Sequence, residues 1–281
     1  MPTAPPLPPG RALVLPGRGT TFVRELAGPP GAPCLLLLHG WTVTADLNWF
    51  RCYEALGEHF AVVAMDHRGH GRGVRSRRPF RLEDCADDAA AVAAELGGPV
   101  VAVGYSMGGL VAQLLWRRHR GAVAGLVLSS TGRSLSGSTF NDRAYFGGLL
   151  GLSVASRLAP PPVRDHVAAT LARRRLVGSP VAEWGLQELT RNDASAVLEA
   201  GWALGRFRSH GWVGGVDVPT AVVVTTEDQV VPPDRQRRLA AAIPGAVVVE
   251  VDGDHGACVN DPDRYLPALL RACRSAAPAW S

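Results

Sequence analysis

Val100-Val101-Ala102-Val103-Gly104-Tyr105-Ser106-Met107-Gly108-Gly109 joins an unbroken apolar run to a segment of helical spacing, Ser106 to Arg120, with Gly-x-Ser-x-Gly at the junction. A serine on a tight strand-to-helix turn projects its oxygen into open space. The flanking glycines leave room for the backbone, and the helix N-terminus behind favours developing negative charge. The pentapeptide alone is a weak signal, but between a buried strand and a helix it is a strong one. Ser106 is read as a nucleophile, against the alternative of a small-residue helix cap.

Outward from this junction the chain repeats strand then helix. Continuous apolar runs of strand length lie at Pro33 to Leu38, Ala61 to Met65, Val100 to Val103, Val123 to Leu128, Thr220 to Thr225 and Ala246 to Val251, the pattern of strands buried on both faces. Amphipathic helical segments separate most of them, among them Asn48 to Glu58, Leu82 to Leu96 and Asp234 to Ile243. This alternation predicts an α/β fold with a mostly parallel sheet covered by helices on both faces. Arg11 to Leu15 and Thr20 to Leu26 alternate more and suggest a leading antiparallel hairpin. The rhythm breaks once, over 132–216, where helical patterns occur without a strand. That stretch is expected to be a helical cap inserted into a core domain made of 1–131 and 217–281, with Asp193 as the N-cap of a helix over Ala194 to Gly205.

A serine hydroxyl near neutral pH needs a base to take its proton and a carboxylate to orient that base. Asp228 follows the run Ala221 to Val224 in Thr225-Thr226-Glu227-Asp228. His255 follows a later strand in Asp252-Gly253-Asp254-His255. Both fall at the C-terminal edges of strands, the rim on which open parallel sheets place their sites. Glu227 is the competitor of Asp228, and Asp252 and Asp254 are alternative partners of His255, with turn formation as their plainer reading. The amide of Met107 and that of Trp41, in Leu38-His39-Gly40-Trp41, are the candidate oxyanion donors.

These residues, together with Asp66-His67-Arg68-Gly69-His70-Gly71, resemble the α/β-hydrolase superfamily over nearly the whole chain. The order Ser, Asp, His is that of this fold. The resemblance implies an eight-stranded, mostly parallel sheet with a cap after the sixth strand, and it assigns Asp66, Arg68 and His70 to the scaffold. Aspartate-nucleophile branches are disfavoured by Ser106, and Ser129-Ser130-Thr131-Gly132 offers no carboxylate as a substitute for Asp228. The implied activity is hydrolysis of a carboxylic ester, thioester or lactone. Acyl transfer, carbon–carbon bond hydrolysis, a cofactor-free perhydrolase or haloperoxidase reaction, and a non-catalytic binding role remain alternatives.

Composition narrows the rest. The 281 residues carry 29 basic and 25 acidic side chains, net +4, with 47% hydrophobic and 19% charged residues. The charges are dispersed, so a nucleic-acid partner is not expected; the Arg68 to Arg81 cluster is interrupted by glycines and reads as a solvated loop. Every Lys/Arg position is arginine, which excludes lysine Schiff-base chemistry and a lysine-bearing phosphate loop and suggests a GC-rich bacterium. Five cysteines without Cys-x-x-Cys spacing indicate neither a disulfide framework nor a zinc site. No cofactor or metal is expected, nor a signal peptide or membrane span, and the cytoplasm is the default compartment. A small-molecule acyl substrate would meet the large side chains of the cap: Phe140, Tyr145, Phe146, Leu149, Trp184, Trp202 and Phe207. Arg206, Arg208 and His210 would suit a carboxylate, or simply a solvated helix end.

Overall fold

Eight strands form one sheet in the order β1-β2-β4-β3-β5-β6-β7-β8. They are β1 (Gly10–Leu15), β2 (Gly19–Leu26), β3 (Cys34–Leu38), β4 (Ala61–Met65), β5 (Val100–Tyr105), β6 (Val123–Ser129), β7 (Thr220–Thr225) and β8 (Val247–Val251). The structure is a computed structural model that describes residues 4–135, 140–158 and 182–277, without the side chains of 140–146, 157–158 and 182. β2 pairs antiparallel with β1 and β4, and every later pairing is parallel. The hairpin read from its alternation is therefore present.

The unbroken apolar runs follow from burial on both faces. Leu36, Leu38, Ala102, Leu128, Val222 and Val224 face one core. It is closed by α3 (Leu82–Glu95), α4 (Met107–Arg118) and α8 (Pro233–Ala240). Leu35, Leu37, Val101, Val103, Val127 and Val223 face the other. That side is covered by α1 (Ala45–Trp49), α2 (Tyr53–Gly57) and α10 (Pro262–Ala276), with Trp49, Leu56, Tyr265 and Leu269 turned inward. Each such side chain contributes about 1.5–3 kcal/mol of burial.

The helix expected over Asn48 to Glu58 is two short ones. Thr44 caps α1 by accepting from the Leu47 amide at 3.1 Å, and the turn tightens where the Cys52 amide donates to Trp49 O at 2.7 Å. That i−3 bond rotates the chain so that Trp49 on one piece and Tyr53 and Leu56 on the other all reach the core. Between β6 and β7 the described residues contain α5 (Phe140–Leu158), α6 (Ala182–Thr190) and α7 (Ala194–Arg206). Asp193 caps α7, accepting from the amides of Ser195 and Ala196. A short α9 (Ala257–Asn260) follows β8. The five cysteines form no disulfide, and among the described residues no helix is long and apolar enough to cross a membrane.

Candidate active site

Ser106 sits where β5 ends and α4 begins, with φ 53° and ψ −112°. A non-glycine residue held there costs about 1–3 kcal/mol, sustained by the surrounding structure. Its amide donates to Ser129 O at 2.9 Å, which ties the turn to the neighbouring strand. The two glycines of the motif are required by contact. A Cβ at Gly104 would lie 2.3 Å from Gly108 O, and one at Gly108 would lie 1.9 Å from Leu38 O. The crossing of β5, α4 and β3 is that close because neither glycine has a side chain.

His255 lies on the loop between β8 and α9. Its Nε2 is 3.0 Å from Ser106 Oγ and its Nδ1 is 2.7 Å from Asp228 Oδ2. With a carboxylate on one side and a hydroxyl on the other, Nδ1 carries the hydrogen and Nε2 accepts. The loop is fixed by the Tyr105 hydroxyl, which donates to His255 O at 2.5 Å, and by Asp254 Oδ1, which accepts from the Gly256 amide at 2.7 Å. Desolvation pushes the Tyr105 phenol well above its ordinary range, so it remains a donor. Asp254 is thus a turn residue, while Asp252 and Glu227 are exposed.

Asp228 is 1% exposed and accepts five hydrogen bonds. Oδ1 takes the amides of Val230 and Val231, each at 2.8 Å. Oδ2 takes Thr225 Oγ1 at 2.9 Å and Gln236 Nε2 at 3.2 Å besides His255. Gln236, on α8, has no exposed surface, and its Oε1 accepts from the Thr225 amide at 3.1 Å. Neither Thr225 nor Gln236 is marked by any sequence motif. The one signal for Gln236 is a glutamine four residues past Pro232, on the face of α8 that also carries Leu239 and Ala240.

The loop after β3 runs beside the serine: a Cβ at Gly40 would come 3.6 Å from Ser106 Cβ. His39 is fully buried below it. Its Nδ1 donates to Gly40 O at 2.7 Å, and its Nε2 accepts from the His67 amide at 2.9 Å. Burial pulls its pKa down to about 4, against the opposing pull of the Gly40 carbonyl. The Gly40 amide donates to Asn48 Oδ1 at 2.8 Å. Trp41 follows, its indole Nε1 donating to Val197 O of α7 at 2.8 Å. Met107 opens α4 and is fully buried.

The Asp66–Gly71 turn carries scaffold contacts. Asp66 accepts from the amides of Ala45 and Arg72, each at 2.8 Å, and Arg68 forms a bidentate pair with Asp88. A cleft of about 400 Å³ opens between Arg68–Phe80 and the start of α7, but its lining does not include Ser106, Asp228 or His255. Of the expected cap residues, Trp184 is buried edge-on to Phe50 at 5.2 Å, and Trp202 is half-buried under the Arg206 guanidinium. Phe207 lies in the main core instead, edge-on to Trp212 at 6.2 Å, because the chain turns extended there and leaves α7. The side chains of Phe140, Tyr145 and Phe146 lie outside the described residues; their backbone belongs to α5.

The model of the alpha/beta hydrolase fold family matches residues 33–262. A pimeloyl-[acyl-carrier protein] methyl ester esterase from Neisseria meningitidis is 28% identical over 229 residues, 80% of this chain and 86% of the relative. A non-heme haloperoxidase from Rhodococcus erythropolis is 27% identical over 263 residues, 84% and 90% of the two chains. The crystal structure of the enol-lactonase from Burkholderia xenovorans LB400 superimposes with a TM-score of 0.77 at 23% identity, covering 94% of this chain and 100% of the other. The protein therefore belongs to the α/β-hydrolase fold family of enzymes.

Proposed function

We propose that the protein hydrolyses a carboxylic ester, thioester or lactone through an acyl-enzyme on Ser106. The observation that carries this reading is the unbroken chain from Asp228 Oδ2 through His255 to Ser106 Oγ, with links of 2.7 and 3.0 Å. In the proposed reaction Ser106 Oγ bonds to the carbonyl carbon as its proton passes to His255 Nε2. The amides of Trp41 and Met107 take the oxyanion, a donor of this kind being worth about 2.7–4 kcal/mol in kcat. His255 then gives its proton to the leaving alcohol, thiol or ring oxygen, and the Ser106 acyl ester forms. Water, deprotonated by the same nitrogen, releases the acid and restores the serine. The residues supply nucleophile, base and charge stabilisation, so the scheme needs no metal or organic cofactor.

The helices of 132–216 would cap this site and set the acyl group, with Trp184, Trp202 and the aromatic residues of α5 as contacts to test. A panel of acyl esters of increasing length checks the reading. Wild type should turn over at least one class and be labelled once by a fluorophosphonate. Ser106→Ala should lose both, and Asp228→Asn should fall by about 10⁴ in kcat. Full-rate hydrolysis by Ser106→Ala would remove Ser106 from the role. The haloperoxidase relative motivates a second reading, perhydrolysis on the same serine, in which peroxide replaces water on the acyl-enzyme; peracid formed from an ester plus hydrogen peroxide would reveal it.

A further inference from the structure

The segment that holds Trp41 in place does not belong to the strand–helix layer that carries the serine. Trp41 turns one edge of its indole to α7: its Nε1 donates to Val197 O at 2.8 Å, one turn before Gly201. A Cβ at Gly201 would meet Trp41 Cζ2 at 2.7 Å and Leu149 Cδ1 at 2.5 Å. Glycine is the residue that lets the indole reach the helix backbone.

The next residue is held from the same side. Thr42 has φ 70°, a left-handed conformation that a β-branched residue adopts only under constraint. Asn192, between α6 and α7, donates Nδ2 to Thr42 O at 2.8 Å and accepts the Gly71 amide on Oδ1 at 2.7 Å. One partner is a carbonyl and the other an N–H, so the amide has a single sensible orientation. Around this clamp the Asp193 amide donates to Gly69 O at 2.9 Å, Arg75 donates to Arg191 O at 2.6 Å, and Thr44 Oγ1 donates to Glu188 Oε2 at 3.0 Å. Residues 188–197 thus grip both 41–44 and 69–75.

We infer that Asn192 and Gly201 are positioning residues for the oxyanion hole, so that the helical insertion builds part of the catalytic site rather than only covering it. The inference rests on the acyl-enzyme reading for its chemistry, because Trp41 matters through its backbone amide. With α7 seated, the 40–44 loop is held at Trp41 and Thr42; with α7 displaced, the amide loses its fixed direction while the Ser106–His255–Asp228 chain stays intact. Hydrolysis is then confined to the state in which the insertion is docked.

The test compares Asn192→Ala, Asn192→Asp, Gly201→Ala and Trp41→Phe with wild type. Asn192→Asp keeps the acceptor for Gly71 and loses the donor to Thr42. In all four, kcat should fall about tenfold or more, since a 1 Å misplacement costs up to about 10² in rate, with KM within about twofold, the mark of an interaction made only in the transition state. Inhibition by an alkyl boronic acid, whose tetrahedral adduct places an oxygen in the oxyanion hole, should weaken by the same factor as kcat/KM. Hydrogen exchange at 40–44 should quicken while that of 100–118 is unchanged. Unchanged kcat and exchange would overturn the inference, as would a fall in kcat with exchange at 40–44 unaltered or with 100–118 opening as well. If wild type hydrolyses no ester and takes no fluorophosphonate, yet exchange at 40–44 responds as stated, the acyl-enzyme reading fails and the coupling of insertion to loop stands.

Discussion

Gln236 and His255 donate to the same oxygen of Asp228, at 3.2 and 2.7 Å. A carboxylate oxygen shared in this way is a weaker acceptor for each donor than one left to the imidazole alone. Removing the Gln236 donor leaves Oδ2 to His255 and Thr225 and breaks the bonds that tie α8 to the Asp228 loop. Gln236→Leu is expected to lower kcat by about tenfold or more, since a 1 Å misplacement costs up to about 10² in rate. Steady-state kinetics and urea unfolding of the same variant measure it, and an unchanged kcat in a destabilised protein would assign Gln236 to loop support alone.

Gly108 faces backbone, not a side chain that can swing away. Gly108→Ala puts a methyl 1.9 Å from Leu38 O, so β3 and α4 must separate at the centre of the molecule. The expected loss is about 3 kcal/mol, the upper end of overpacking, accompanied by inactivation. Gly98→Ala, which meets nothing within 4 Å, should change stability by no more than about 0.5 kcal/mol. Urea unfolding of the two variants, compared through their midpoints at constant slope, decides the matter.

Three fully buried imidazoles make the fold sensitive to acid. Desolvation pulls His39 down to about 4 and His70 to about 3, and carries His67 well below its ordinary value. Unfolded, each titrates near 6.5, so below that pH the unfolded chain binds protons that the folded one refuses. The stabilisation is complete above about 6.5 and is lost as pH falls from 6.5 toward about 4, at up to about 1.4 kcal/mol per pH unit for each histidine. The midpoint of thermal unfolding should therefore drop steeply between pH 6.5 and 4. His67→Leu, whose ring nitrogens have no partner in the structure, should flatten that slope.

Asp88 holds two guanidinium groups with a side chain only 1% exposed, bidentate to Arg68 and bonded to Arg18 at 2.5 Å. Asp88→Asn leaves the half-buried Arg68 only the more distant carboxylate of Asp84, at 3.9 Å, and is expected to cost about 3 kcal/mol. Because these residues touch neither Ser106 nor His255, kcat at 20 °C should stay near wild type while the denaturant midpoint falls. A loss of kcat with stability intact would give the Arg68 turn a catalytic duty.

What the sequence discloses depends on whether a residue's role repeats along the chain. Ala61 to Met65 and Thr220 to Thr225 are bounded correctly because both faces are buried and every residue in them is apolar or small. β5 continues two residues past its apolar run, since Gly104 and Tyr105 still pair with Leu128 and Ser129. The Asn48 to Glu58 pattern hides its break because a single i−3 turn at Cys52 leaves the apolar spacing nearly intact. Ser106, Asp228 and His255 stand at strand ends, which hydrophobic runs reveal. Gln236 and Asn192 are different: each is a polar residue beside or within a helix, where solvent exposure is the ordinary expectation, and only the partners brought from distant segments give it meaning. Phe207 is a large apolar residue of the insertion whose side chain packs in the core, a placement its helical context does not disclose.

The backbone at Ser106 has a further consequence. Its φ of 53° suits glycine, and every other requirement of the turn is met by Gly104 and Gly108. Ser106→Gly should relax the turn and raise stability, and on the proposed mechanism the relaxed protein would hydrolyse nothing. Residue 106 is then the point where the chain gives up some thermodynamic comfort for the side chain it carries, and the buried layers on either side of β5 are what allow it.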